Sequence, residues 1–245
     1  MQGSRWAIIE APSVLGLFPS GVERLPDALL EAGIADRIGA RRAGRVAPPQ
    51  FDPKRDPATG LLNPQGLRDY AHALAGTVGS VVDRGETPLV LGGDCSILLG
   101  PLLAMGRRGR YGLMFLDGHA DFYQPEPEPN GEAASMDLAL VTGRGPRVVA
   151  DLEGLGPLVR DEDVAVLGRR DAEEASKAGS QRIEGTLINV IDLPAVRRLG
   201  VGRVAGLALD GFEERELDGF WIEACVSGWI CRGYGCTLRV WPVPD

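Results

Sequence analysis

The sequence predicts an α/β domain in three layers, α-β-α, with a mostly parallel sheet covered by helices on both faces. Short continuous apolar runs are the first sign: Pro-Leu-Val-Leu at 88–91 and Gly-Leu-Met-Phe-Leu at 112–116 have the length and composition of strands buried on both sides. Between such runs lie segments with helical spacing, above all Leu67, Tyr70, Leu74, Val78, Val81 and Val82. The alternation continues for about 200 residues with no internal repeat and no inter-domain linker, which favours one domain.

Taken in order, residues 6–10 (Trp-Ala-Ile-Ile-Glu) read as a first buried strand, followed by a Pro/Gly-rich turn through 19–21. Leu25, Leu29, Leu30 and Ile34 recur at helical spacing, and Gly33 fits a helix end. Pro48, Pro49, Pro53 and Pro57 make 46–63 a surface loop. A helix over 65–82 closes at Arg84-Gly85 and feeds a strand at 88–91. Gly92-Gly93-Asp94 turns the chain into a helix over 97–105, and a further strand follows at 113–116. Residues 122–135, with Pro125, Pro127 and Pro129, are loop. Strands are expected at 164–168 and 187–191 around a helical stretch at 172–178, and 204–209 reads as the last strand.

Charge and composition exclude several functions. The 245 residues carry 26 basic and 34 acidic side chains, a formal charge of −8, with no basic block for nucleic acid or an anionic membrane. No apolar run approaches the roughly 20 residues that span a bilayer. The start, Met-Gln-Gly-Ser-Arg-Trp, has no apolar export segment, so a cytoplasmic location is expected. Of the basic residues only Lys54 and Lys177 are lysines, which suggests a GC-rich gene. Cys95 stands alone, while Cys225, Cys231 and Cys236 crowd the end; without an export signal these four do not suggest a disulfide framework.

Chemistry concentrates in two stretches. In Asp117-Gly-His119-Ala-Asp121, directly after an apolar strand, two carboxylates and an imidazole alternate. If the extended conformation persists, all three point the same way, and they are donors suited to Mn²⁺, Zn²⁺ or Fe²⁺. The plain structural reading is an Asp-Gly turn with a satisfied histidine. In an open parallel sheet the ligand crevice lies beyond the carboxyl ends of the strands, where this triplet falls. The second stretch, Gly92-Gly-Asp-Cys95-Ser96, also follows a strand. Its glycines permit a tight turn, and Cys95 reads as a ligand, a reactive thiol or a small buried hydrophobe.

Together, in this order, these stretches resemble the ureohydrolase family, the arginases, agmatinases and their relatives, whose pattern is G-G-D-H-S and then D-A-H-x-D. Gly21-Val-Glu-Arg-Leu-Pro26, Gly143-Arg-Gly145 and Val166-Leu-Gly-Arg-Arg-Asp171 look like family segments too, so the resemblance covers about residues 6–222. It implies a doubly wound α/β fold, homo-oligomers, a binuclear manganese centre, and hydrolysis of a guanidino or linear amidine C–N bond by a metal-activated hydroxide. Guanidinium is resonance-stabilised and a poor electrophile, so a metal that brings the pKa of water toward about 7 answers the chemical need.

The chain departs from this pattern in three places. Cys95 stands at the family's first histidine ligand, which favours Zn²⁺ or Fe²⁺ over Mn²⁺ if it ligates. The family's H-G-M-P-L-A is Ala134-Ser-Met-Asp-Leu-Ala139 here, with Ala134 at the histidine and Asp137 at the proline. Asp137 reads as an acid/base group, a cation-binding group or a helix cap. The third motif, S-x-D-x-D-x-x-D-P, is missing: Phe220-Trp-Ile222 runs into Glu223-Ala-Cys-Val-Ser, and no D-x-D follows.

The resemblance therefore makes Cys95, Asp117, His119 and Asp121 the candidate metal ligands, and the candidate catalytic carboxylates are Asp121 and, in place of the family's missing histidine, Asp137. Cys95, Asp117 and Asp121 make one three-ligand position. The other has only shared Asp117 and His119, with nothing to select Asp210 or Glu223, so at most one ion is expected. The expected boundaries are an arginase-like domain over 1–222, incomplete at its C-terminal end, and an atypical tail over 223–245. In that tail Cys225-x₅-Cys231-x₄-Cys236 lacks the usual zinc spacing, and its composition suits out-of-frame translation of a GC-rich gene better. Three functions stay open: a metal-dependent hydrolase of small guanidino or amidine substrates, a family domain without catalysis, and an assembly subunit.

Overall fold

The computed structural model describes residues 5–225, and in these the predicted alternation of strands and helices is realised. Strand β1 (Trp6–Ala11) leads to two short helices, α1 (Leu25–Glu31) and α2 (Ile34–Ile38), then to β2 (Arg41–Arg45). The long helix α3 (Pro64–Val82) feeds β3 (Thr87–Gly92), α4 (Leu99–Gly106) and β4 (Tyr111–Leu116). Past a long loop come α5 (Asp137–Val141), α6 (Arg147–Ala150), β5 (Val164–Arg169) and α7 (Ala172–Ala178). The described chain ends with β6 (Asn189–Asp192), α8 (Leu193–Leu199), α9 (Val201–Glu213) and β7 (Gly219–Ala224).

All strand pairs are parallel, in the orders β2-β1-β3 and β6-β5-β4-β7. Among the described residues these strands form two parallel sheets, with β3 at one end of the first and β7 at one end of the second. Alternation along the strands explains the layers. Leu113 and Phe115 of β4 and Val164 and Val166 of β5 join the core formed with α3 to α6, whereas Met114, Ala165 and Leu167 face Val204, Ala208 and Phe212 of α9. Helix α3 starts on a proline and buries Leu67, Leu74, Val78 and Val81. It packs closely on α4 because Gly100 has no Cβ; one there would lie 2.8 Å from the Leu74 side chain.

Three expectations are corrected. Residues 204–209 are not a strand but the middle of α9, because Val204, Ala208 and Phe212 recur every fourth residue and form its buried face. Gly33, left-handed at φ 82°, ends α1 as expected, but a second short helix, α2, follows it where none was expected. Strand β2, absent from the expectations, has no apolar run: it is an edge strand of mostly exposed residues, and Arg42 and Arg45 reach the buried Glu10 of β1 at 3.0 and 3.1 Å. His72 lies on α3 with Nε2 3.4 Å from Glu153, as a structural surface residue would. Strand β7 continues to Ala224, past the expected boundary at residue 222. The readings of Cys231, Cys236 and the rest of the tail lie outside the described residues.

Candidate active site

Both sheets reverse strand order where the candidate residues lie. In the first, the chain passes from β2 across β1 to β3; in the second, it runs from β4 out to β6 and returns to β7 on β4's other side. Crevices beyond the carboxyl ends of strands open at such reversals. Cys95 follows β3, Asp117 follows β4 and Cys225 follows β7.

The Gly92–Ser96 turn is held from within. A Cβ on Gly93 would sit 2.4 Å from the Ala11 carbonyl and 2.6 Å from the Ser13 nitrogen, so glycine lets this turn press against the end of β1. Asp94 is buried; its Oδ1 accepts from the Ser96 N–H at 2.9 Å and its Oδ2 from Gly16 at 3.3 Å. Burial nevertheless pushes its carboxyl up. Asp94 is a structural cap that fixes where Cys95 points.

The Asp117–Asp121 stretch is not extended as the alternation argument assumed. Strand β4 ends at Leu116, the Asp117 carboxylate turns back to accept from the His119 N–H at 2.9 Å, and Asp121 is left-handed at φ 43°. The Val166–Asp171 segment laces this loop in place: Asp171 accepts from the Ala120 N–H at 3.1 Å and from Arg169 at 2.9 Å, and Arg170 donates to the Gly118 carbonyl at 2.8 Å. Asp117 and Asp121 end up buried at 4% and 8% exposure, whereas the His119 side chain is 45% exposed. The Asp117 carboxylate, 3.6 Å from Nδ1, raises the His119 pKa above the ordinary histidine value.

Two further carboxyls close on the loop. Asp137, the first residue of α5, is fully buried, with Oδ1 bound to the Leu138 N–H at 2.8 Å. Glu223 of β7 stands opposite Phe115 of β4. Burial, Asp121 and Glu223 drive the Asp137 carboxyl well above the usual range; burial, then Asp117, does the same to Asp121; burial, then Cys225, does so to Glu223. Among the described residues, Asp117 Oδ2, Asp137 Oδ2 and Glu223 Oε2 are buried with no hydrogen-bond partner. Buried carboxylate oxygens are normally satisfied, so this concentration marks a place suited to a cation.

Of the donor atoms that close up, two come from residues named by the motifs, Cys95 and Asp117, and the third comes from Cys225. Cys95 Sγ, an Asp117 oxygen and Cys225 Sγ lie within 4.8 Å of one another, and the two sulfurs are 3.5 Å apart. His119 and Asp121 border this group without joining it. Cys225 escaped sequence reasoning as a partner of Cys95 because register places it there: β4 and β7 pair Leu116 with Ala224, and the Cys225 N–H continues the ladder to the Leu116 carbonyl. The Cys225 thiol and burial push the Cys95 thiol well up. Orphaned carboxylate oxygens fit one divalent cation, but two thiols among the three closest donors do not fit the manganese pair that the resemblance implies. Two surface hollows along α3, of about 320 and 390 Å³, contain none of these residues.

Comparison with known proteins identifies the family. A model of the arginase family matches residues 5–218. The chain is 30% identical over 216 residues to an arginase of Bacillus caldovelox, covering 85% of this chain and 71% of that one. It is 26% identical over 220 residues to an arginase of Staphylococcus aureus strain MRSA252, covering 86% and 71%. The crystal structure of arginase from Bacillus cereus matches with a TM-score of 0.77 at 27% identity, over 90% of this chain and 74% of that one. Formimidoylglutamase from Bacillus subtilis shares the fold, with a TM-score of 0.62 at 17% identity, over 89% of this chain and 64% of that one. From the family model, these relatives and the two motifs at the strand ends, the chain belongs to the arginase family of hydrolases.

Proposed function

We propose that this chain is a metal-dependent hydrolase that cleaves the C–N bond of a small guanidino or linear amidine compound. The observation that carries this reading is the group of buried, unbonded carboxylate oxygens of Asp117, Asp137 and Glu223 at the switch point of an arginase-family fold. A divalent cation bound there would be held by Asp117 among these groups and would supply Lewis acidity and a nucleophile at neutral pH.

The protein's own groups do the rest. The carboxylates attract and orient a cationic substrate, since their charge is concentrated in a low-dielectric crevice. In the net reaction a water oxygen adds to the amidine carbon, the C–N bond breaks, and the departing amine takes a proton. Asp137 and Asp121 suit that last role. Burial first, then the neighbouring Asp121 for Asp137 and the neighbouring Asp117 for Asp121, push both carboxyls well above the ordinary range, the direction a proton donor needs. The exposed His119 ring, at the rim of the crevice, sits where a substrate enters.

The test is release of urea from arginine, agmatine and other guanidino acids, or of formamide from formimino compounds, with Mn²⁺, Zn²⁺, Fe²⁺ or Co²⁺ supplied. Turnover of at least one substrate is expected. It disappears in Asp117→Asn and falls by roughly the 10²–10⁴-fold typical of a lost general acid in Asp137→Asn. A folded, metal-loaded chain that turns over none of them overturns the reading and leaves a family domain without catalysis.

A further inference from the structure

From the geometry we infer that the pocket is a thiolate site for a single zinc-class ion, with Cys95 Sγ, Cys225 Sγ and an Asp117 oxygen as its protein ligands. The inference rests on the metal-dependent reading above and deepens it by naming the donor set. Three strands contribute one ligand each, so the site exists only when β3, β4 and β7 are all in place.

Distances and chemistry both favour a borderline metal. Two sulfurs bound at about 2.3 Å to a tetrahedral ion stand about 3.8 Å apart. Here they are 3.5 Å apart, with an Asp117 oxygen within 4.8 Å of both. Asp117 Oδ1 is engaged by the His119 N–H, while Oδ2 is buried and unbonded, so one oxygen remains for an ion. Thiolate ligands select Zn²⁺ over the oxygen- and nitrogen-preferring Mn²⁺, and zinc stands well above manganese in general affinity. Two sulfurs and one oxygen leave a fourth tetrahedral position open, as in catalytic zinc sites. With two sulfurs in the donor set, the preferred metal shifts from manganese to zinc.

The experiment uses the full-length chain carrying Cys231→Ser and Cys236→Ser, so that only Cys95 and Cys225 supply sulfur. Cobalt titration of the chelator-stripped protein is followed by absorption, and zinc and manganese affinities are measured by competition with a chromophoric chelator. One Co²⁺ per chain is expected, with tetrahedral d–d absorption and a sulfur-to-cobalt charge-transfer band that weakens in Cys225→Ser and vanishes when both cysteines are replaced. Zinc affinity should fall in Cys95→Ser or Cys225→Ser by more than the roughly 10–100-fold typical of losing an outer-sphere partner. Circular dichroism checks that each variant is folded. A cobalt spectrum without the sulfur band, zinc binding unchanged in Cys225→Ser, or manganese bound more tightly than zinc overturns the inference. So does a Cys95–Cys225 disulfide that forms in preference to metal binding when reduced protein and zinc are mixed in air. Hydrolysis is a separate outcome: a zinc-thiolate chain without turnover sinks the proposed function alone, and turnover with no sulfur–metal band sinks this inference alone.

Discussion

Asp163 and Asp137 are both completely buried aspartates, yet the fold treats them in opposite ways. Asp163, just before β5, receives both forks of Arg110, Nε at 2.7 Å and Nη2 at 2.8 Å. Glu10, buried at the end of β1, is likewise met by Arg42 and Arg45. Asp137 faces Asp121 and Glu223, carboxyls like itself, and one of its oxygens bonds nothing among the described residues. Asp163 and Glu10, which support the fold, are each met by arginine, and the buried Asp94 is met by the backbone N–H groups of Ser96 and Gly16. At the strand ends the sequence supplies more carboxylates and two thiols. A protein tolerates such unbalanced burial where a ligand of opposite charge restores the balance.

The contrast breaks or holds on stability measurements. The largest effect is expected at the paired site. Asp163→Ala leaves Arg110 without its main partner, and breaking a buried pair costs about 3–5 kcal/mol. Arg110 is 35% exposed and also lies 3.6 Å from Glu162, so the lower end, about 3 kcal/mol, applies. Thermal unfolding should shift down by roughly 6–12 °C for a chain of this size.

Asp137→Asn should move stability the other way. The amide oxygen can still accept the Leu138 N–H, while one of three mutually repelling carboxyls is gone and the new NH₂ offers a donor to its neighbours. In chelator-treated protein a gain of about 1 kcal/mol is expected, the size of one net hydrogen bond. With metal supplied the gain should shrink, because a bound cation itself relieves the repulsion that the variant removes. A drop in chelated Asp137→Asn as large as that of Asp163→Ala would mean that the two aspartates are not different in kind.

The same contrast explains what the sequence made legible. Asp117, His119 and Asp121 stand in one short run after an apolar strand, so their chemistry is visible in one dimension. Their geometry is not: the turn that Asp117 makes with the His119 N–H separates an exposed imidazole from two buried carboxylates. Cys225 lies 130 positions from Cys95, and only the pairing of β7 with β4 brings them together. Helix α9 was misread because Val-Ala-Gly-Leu-Ala-Leu at 204–209 is as apolar as a buried strand, and its helical period shows only when Phe212 is included. Strand β2 carries arginines in place of apolar residues, since an edge strand answering Glu10 needs charge more than burial.

The smallest expected effect tests the comparison at the surface, where pairing should matter least. Arg107, at the end of α4, grips Glu153 with Nη2 at 2.6 Å and Nε at 3.0 Å, and this guanidinium holds the Glu153 carboxyl below its ordinary value of 4.5. A carboxyl with a lowered folded-state pKa stabilises the protein fully above its unfolded value, and the contribution fades as pH falls through the folded value. Glu153→Gln should therefore cost stability at neutral pH and nothing once both states are protonated, well below pH 4.5. Because both side chains are about one-third exposed, at 31% and 37%, the cost at neutral pH should stay under about 1 kcal/mol, or roughly 2–4 °C. Thermal unfolding of the two proteins across the acidic range measures it. A cost matching that of Asp163→Ala would show that burial is not what separates strong pairs from weak ones in this fold, and the unpaired carboxylates at the strand ends would then lose their significance as a cation site.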